Sequence, residues 1–107
     1  MCEYPRMIDV SLEKDADPVP VLKLQADAWE LNIWASLADL ARLSGIRAAD
    51  WDERMSLKAG LCAGAPVFWA IAEDEQVAIL IGSDDETWDI ALMVPLATVD
   101  EIVALAR

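Results

Sequence analysis

"VLKLQADAWELNIWASLADLARLSG", residues 21–45, decides the fold, because its hydrophobic period changes part-way along. Val21 to Ala26 alternates like a strand with one wet face. After Asp27 the pattern turns helical. At about 100° per residue, Trp29, Ile33, Trp34, Leu37, Ala38, Leu40 and Ala41 fall on one side, with Asn32, Ser36, Asp39 and Arg42 on the other. The spacing predicts a helix over 28–44, with Asp27 as N-cap and Gly45 as the residue that ends it. A continuous helix from Val21 is the competing reading.

On the N-terminal side, "MIDVSLE" sets Ile8, Val10 and Leu12 against Asp9, Ser11 and Glu13, a further half-buried strand that "KDADPVP" interrupts. On the C-terminal side, "IRAADWDERMSLKAGLCAGAP" reads as a turn near 48–53 followed by a strand. Beyond Pro66, "VFWAIA", "VAILI" and "WDIALMV" are strand-length runs rich in β-branched and aromatic residues. The links "EDEQ" and "GSDDET" are short enough for hairpins, so the three runs read as a meander. "TVDEIVALAR" opens on a capping box, Thr98 and Glu101, and puts Ile102, Val103, Leu105 and Ala106 on one helical stripe.

The expected architecture is therefore a single α+β domain spanning 1–107. It has an antiparallel or mixed sheet of about five or six strands, the 28–44 helix packed on one face, and a short C-terminal helix. "VFWAIA" and "VAILI" are apolar at both odd and even positions, so both faces of those strands need cover. A second helix, curling of the sheet, or a second copy in a homodimer would each supply it.

Composition narrows the function classes. An apolar fraction of 56% with five tryptophans in 107 residues is enough for one packed core. The formal charge of −12 is uneven: residues 59–106 hold nine acids and no Lys or Arg. Such a field repels nucleic acid and anionic lipid and attracts basic proteins. Glu3 and Asp9 interrupt what a signal peptide would need to be apolar, and no segment reaches the ~20 apolar residues of a membrane span. Cys2 and Cys62 form no disulfide framework or metal-ligand spacing, so a cytoplasmic, reduced protein without a cofactor is the expectation.

The acids lie in two groups, Glu73, Asp74 and Glu75 at one hairpin, and Asp84, Asp85, Glu86 and Asp89 around Trp88 at the next, and these acids with Trp88 are the expected contact for a basic partner, centred on the second group. Successive hairpins of a meander turn at opposite ends of the sheet, roughly 17–20 Å apart, too far to share a metal or act as an acid–base pair. "GSDDETWDIALM" lacks the central glycine and ligand spacing of an EF-hand loop. The chain has no histidine, which excludes Ser-His and Cys-His nucleophiles, and Cys62 in "AGLCAGAP" reads as a structural thiol. Trp29, Trp34 and Trp69 read as core. Trp88 and Trp51, ringed by acids, read either as half-buried structural residues or as anchors for a basic partner.

The order of "VLKLQADAWELNIWASLADLARL" followed by "VFWAIAEDEQVAILIGSDDETWDIALMVPLATVDEIVALAR" resembles small immunity proteins of bacterial polymorphic-toxin and contact-dependent systems. The resemblance is organisational and carries no residue-level motif. It implies a non-enzymatic, antitoxin-like protein that binds a cognate, basic toxin domain and covers its active site. A rival reading is a small-molecule-binding or enzymatic domain with a pocket between the first helix and the sheet, lined by Trp34 or Trp69. A third is an accessory subunit of a larger assembly.

Overall fold

Seven strands follow one another in chain order across one antiparallel sheet in the computed structural model, which describes residues 8–107. Cys2 and Glu3 lie outside the described residues, while Asp9 opens the first strand. The strands are β1 (Asp9–Glu13), β2 (Val21–Gln25), β3 (Glu30–Trp34), β4 (Leu57–Cys62), β5 (Ala65–Ile71), β6 (Gln76–Gly82) and β7 (Trp88–Pro95). A helical insertion joins β3 to β4. It consists of α1 (Leu37–Ala41), a 3-10 stretch Arg42–Ala48 and a 3-10 turn Trp51–Glu53. Helix α2 (Leu96–Ala106) follows β7 directly.

This corrects the expected fold in three places. Residues 30–34 form a strand, not the start of a long helix, so the sheet has seven strands and α1 spans only Leu37–Ala41. The physical reason is the alternation inside "ELNIW": Leu31 and Ile33 are buried, Glu30 and Trp34 are exposed, and all five residues pair with β2. The turn that makes this pairing available is closed by the Ala26 N–H bonded to the Trp29 carbonyl at 2.8 Å. Asp27, expected as a helix cap, sits in that turn. The cap of α1 is Ser36, whose hydroxyl accepts the Asp39 N–H at 3.1 Å. Gly45 lies within the 3-10 stretch. Lastly, α2 is the longest helix and starts two residues before the expected cap, with Pro95 preceding it and Thr98 buried inside it.

The core lies between the sheet and the helical layer. Leu22, Leu24, Ile33, Val67, Trp69, Val77, Ile79 and Val94 come from the sheet; Leu40, Leu43, Ile46, Val99 and Ile102 from the helices. Trp69 is fully buried and its indole N–H donates to the Ala59 carbonyl at 3.0 Å. Helix α2 packs against α1 and the 3-10 stretch, and also against β1, β6 and β7. Since β1 and β7 are opposite edges of one sheet, the sheet curls around this layer.

Three local devices let the strands close. At Gly60 (φ +92°) a Cβ would stand 2.5 Å from Ile33 Cγ2, so only glycine lets β4 approach β3 there. Ala63 and Gly64, both at positive φ, form the two-residue link between Cys62 and Ala65. At Gly82 a Cβ would meet Trp88 Cα at 2.3 Å, where Asp89 is bulged out of the β6–β7 ladder.

The second face of the sheet, away from the helices, is also apolar in its middle. Ala70, Ala78 and Leu80 are buried on it and Phe68 is half-buried. The tip of the β6–β7 hairpin leans back over this face. The Ser56 hydroxyl bonds Asp85 Oδ2 at 2.7 Å, although Ser56 lies at the far end of β4 from the tip.

Candidate functional site

The two acidic groups occupy opposite ends of β6. Glu73, Asp74 and Glu75 form a 3-10 turn closed by the Ala72 N–H bonded to the Gln76 carbonyl at 2.7 Å, and all three are exposed. Asp74 and Glu75 have positive φ, as the tight turn requires. The seven residues of β6, roughly 20 Å at about 3.3 Å per residue, separate this turn from the start of the loop that carries the second group, and that loop folds back so that Asp85 reaches Ser56. Among the described residues no group of three or more Asp, Glu or Cys side chains is placed to hold a metal ion.

The second group is not uniform. Asp84 accepts the backbone N–H groups of Glu86 at 2.8 Å and Thr87 at 2.6 Å, which shapes the turn and holds its carboxyl below the usual carboxylate range. Asp85 is half-buried by its bond to Ser56. Glu86 and Asp89 are exposed, and no hydrogen bond or ion pair from another side chain reaches the carboxylate of either among the described residues. Of the four acids around Trp88, the expected centre of the contact, two are therefore structural and two have unengaged carboxylates.

Because Asp84 has a depressed pKa in the folded chain, its contribution to stability is present above its ordinary value of 3.8. It is lost as pH falls from there through the lower folded value. We expect wild type to melt above Asp84→Asn at neutral pH, with the gap closing below about pH 4. Thermal melts between pH 2 and 7 measure it, and a gap that does not change with pH removes the carboxylate from the turn.

Trp88 is 41% exposed, opposite Gly82 on the face away from the helices. It is not alone. Ile90 is 47% exposed and Met93 is 40% exposed, both on the same strand. Pairing puts Ile90 with Ile81 on the helix-covered face and Met93 with Ala78 on the other, so β7 shows apolar side chains on both faces. It is also the last strand of the sheet, and no described strand pairs with its outer edge. Ile90 and Met93 were missed in the sequence. The available signal was "WDIALMV", apolar at both parities like the two runs before it.

The other tryptophans divide differently from the expectation. Trp69 is core and Trp29 is half-buried against the core, but Trp34 is 39% exposed, because on a strand it faces away from Leu31 and Ile33. Trp51 is half-buried beneath the Arg54 guanidinium, which stands 5.5 Å from its ring centre. Burial pushes the half-buried Cys62 thiol up, away from nucleophilic character.

A cleft of about 480 Å³ lies where β3 and β4 share a single residue pair, Trp34 with Leu61. Trp34, Leu61 and Val19 supply its apolar wall, and Asp39, Arg42 and Lys58 its charges. Arg42 is held by Asp39 at 3.1 Å and by the Lys58 carbonyl at 3.2 Å. Trp69, the alternative pocket lining, is sealed in the core.

No protein family, characterised protein or solved structure matches the chain in sequence or fold. Among the described residues no helix is long and apolar enough to cross a membrane.

Proposed function

We propose that the protein is a binding module that neutralises a basic protein by covering it, in the manner of an immunity protein, with the β7 end of the sheet as its contact surface. The observation that carries this reading is the exposure of Trp88, Ile90 and Met93 beside the unengaged acids Glu86 and Asp89. Apolar anchors desolvate a contact while flanking charges of one sign steer a partner of the other sign. The field is one-sided: residues 59–106 hold nine acids and no Lys or Arg, and among the described residues Asp100, bridged to Arg47, is the one of these acids in an ion pair. In this reading the chain acts by occlusion and turns nothing over.

The test is affinity capture with the chain as bait, followed by kinetics on the captured protein and by co-expression to see whether the chain suppresses that protein's activity. The captured partner is expected to be basic, with an association rate that falls as salt rises. Trp88→Ala is expected to cost about 2 kcal/mol, read mainly as a dissociation rate raised some thirtyfold. An acidic partner, or kinetics indifferent to both salt and Trp88, sinks the reading.

A second reading, small-molecule binding, has the Trp34–Leu61 cleft behind it, since an aromatic wall beside two cations suits an apolar anion. Leu61→Arg separates the two, because it fills the cleft and leaves the β7 surface untouched.

A further inference from the structure

We propose that β7 binds its partner by strand addition, taking up an extended segment in which apolar residues alternate with Lys or Arg. This rests on the reading of the chain as a binder of basic proteins and specifies the mode.

A partner docking on one face of the sheet would meet either Ile90 or the pair Trp88 and Met93, but not both sets, because they stand on opposite faces. A strand laid along the outer edge of β7 neighbours both rows at once, since its own side chains alternate between the same two faces. That single placement accounts for all three exposed residues.

Sheets usually protect an edge strand with an inward charge, a lysine, a proline within the strand or a cover. The opposite edge follows this rule: β1 exposes two charges, Asp9 and Glu13, within five residues. In β7, by contrast, the run Ile90, Ala91, Leu92, Met93 and Val94 has no charge and no proline, and the bulge at Asp89 and Pro95 lie only at its ends. Five consecutive residues thus offer a regular edge with no described partner.

A second copy could pair β7 with β7, but that would bring together two chains of −12 each, with both copies of Asp89 at the seam. A segment bearing Lys or Arg at alternate positions instead places cations near Glu86 and Asp89 at the open end of the strand. Charge therefore favours a basic strand over self-pairing.

The experiment uses the full chain, isotope-labelled for amide exchange and chemical-shift measurements, and a short capped peptide alternating lysine with valine. Binding is expected to slow exchange at the β7 amides that do not bond to β6, with the largest shifts in residues 88–95. A copy of the peptide N-methylated at alternate backbone positions, which removes donors from one edge, is expected to bind at least tenfold more weakly. So is a copy with glutamate for lysine. Ile90→Lys, at a residue exposed enough to leave the fold intact, is expected to weaken the unmodified peptide by a similar factor. N-methylated and unmodified peptides binding alike, or protection that appears away from β7, overturns strand addition while leaving a salt-dependent acidic surface standing. Concentration-dependent protection of β7 without peptide, with dimers on sedimentation, overturns it in favour of self-pairing. Should the captured natural partner prove acidic while the peptide still protects β7, the neutralising role falls and the strand-addition mode survives.

Discussion

Trp69→Ala is expected to unfold most of what holds the chain together. The side chain is fully buried at the middle of β5, between the sheet and the helical insertion, and its loss leaves a cavity that the surrounding strands cannot fill. Truncations of this kind cost about 3–5 kcal/mol, against about 5–15 kcal/mol for a whole domain. A second cost adds to it, because the Ala59 carbonyl loses the indole donor that satisfies it at 3.0 Å. For a domain of this size each kcal/mol moves the melting temperature by about 4–8 °C, so the fall should exceed about 12 °C. Trp69→Phe separates the two contributions: it keeps most of the apolar volume, removes the donor, and should cost about 1–3 kcal/mol. Trp34→Ala serves as the control, since a residue 39% exposed on the far face gives up far less buried area. Melting of Trp69→Ala within 5 °C of wild type would mean that the core is centred elsewhere.

Gly82→Ala should be the most damaging single-methyl change in the chain. Its Cβ would lie 2.3 Å from Trp88 Cα and 2.6 Å from the Thr87 carbonyl oxygen, and both neighbours are backbone, so no side chain can swing aside. One strand end has to move, at a cost of about 1–3 kcal/mol or more. Movement there displaces the Asp89 bulge, the Asp84 turn and Trp88 together, so the same substitution should also weaken partner binding. Gly45→Ala is the counter-example. Nothing stands within 4 Å of its Cβ, and it lies in a helical stretch, so alanine should be neutral or stabilising by up to about 1 kcal/mol. Paired melts of the two variants measure the contrast, and equal effects would remove close approach as the reason for glycine at 82.

The strands after Pro66 were legible because each is a run of β-branched and aromatic residues bounded by turn chemistry, and the local signal agrees with the tertiary one. β3 was not, for a specific reason. Trp34, Leu37, Ala38 and Ala41 do share a helical face in projection, so a period counted forward from Trp29 runs on unbroken through a strand and into a helix. The turn before it, Ala26 to Trp29, has neither the Gly nor the Asn that marks most two-residue hairpins. A five-residue strand is too short for its alternation to outweigh that window. For the surface, the placement of Glu73–Glu75 and of the Trp88 acids at opposite strand ends followed from hairpin geometry alone. What no local pattern contained was the bond from Ser56 to Asp85 across 29 residues, or the position of β7 at the end of the strand order.

The contact of α2 with both edge strands has a consequence for the order in which the structure assembles. Each of the six strand pairings joins neighbours in the chain, and all but β3–β4, which closes over the helical insertion, grow by local steps with little loop to close. The docking of α2 on β1 is the opposite: it joins the two ends of the described chain, and the Lys14 ammonium reaching the Arg107 carbonyl at 3.4 Å belongs to the same closure. Closing so long a loop is entropically favourable only once the strands between are already in place. The helix therefore acts as a latch fastened last, and β1 and α2 should exchange their amide protons as one unit, before the β5–β6 centre opens.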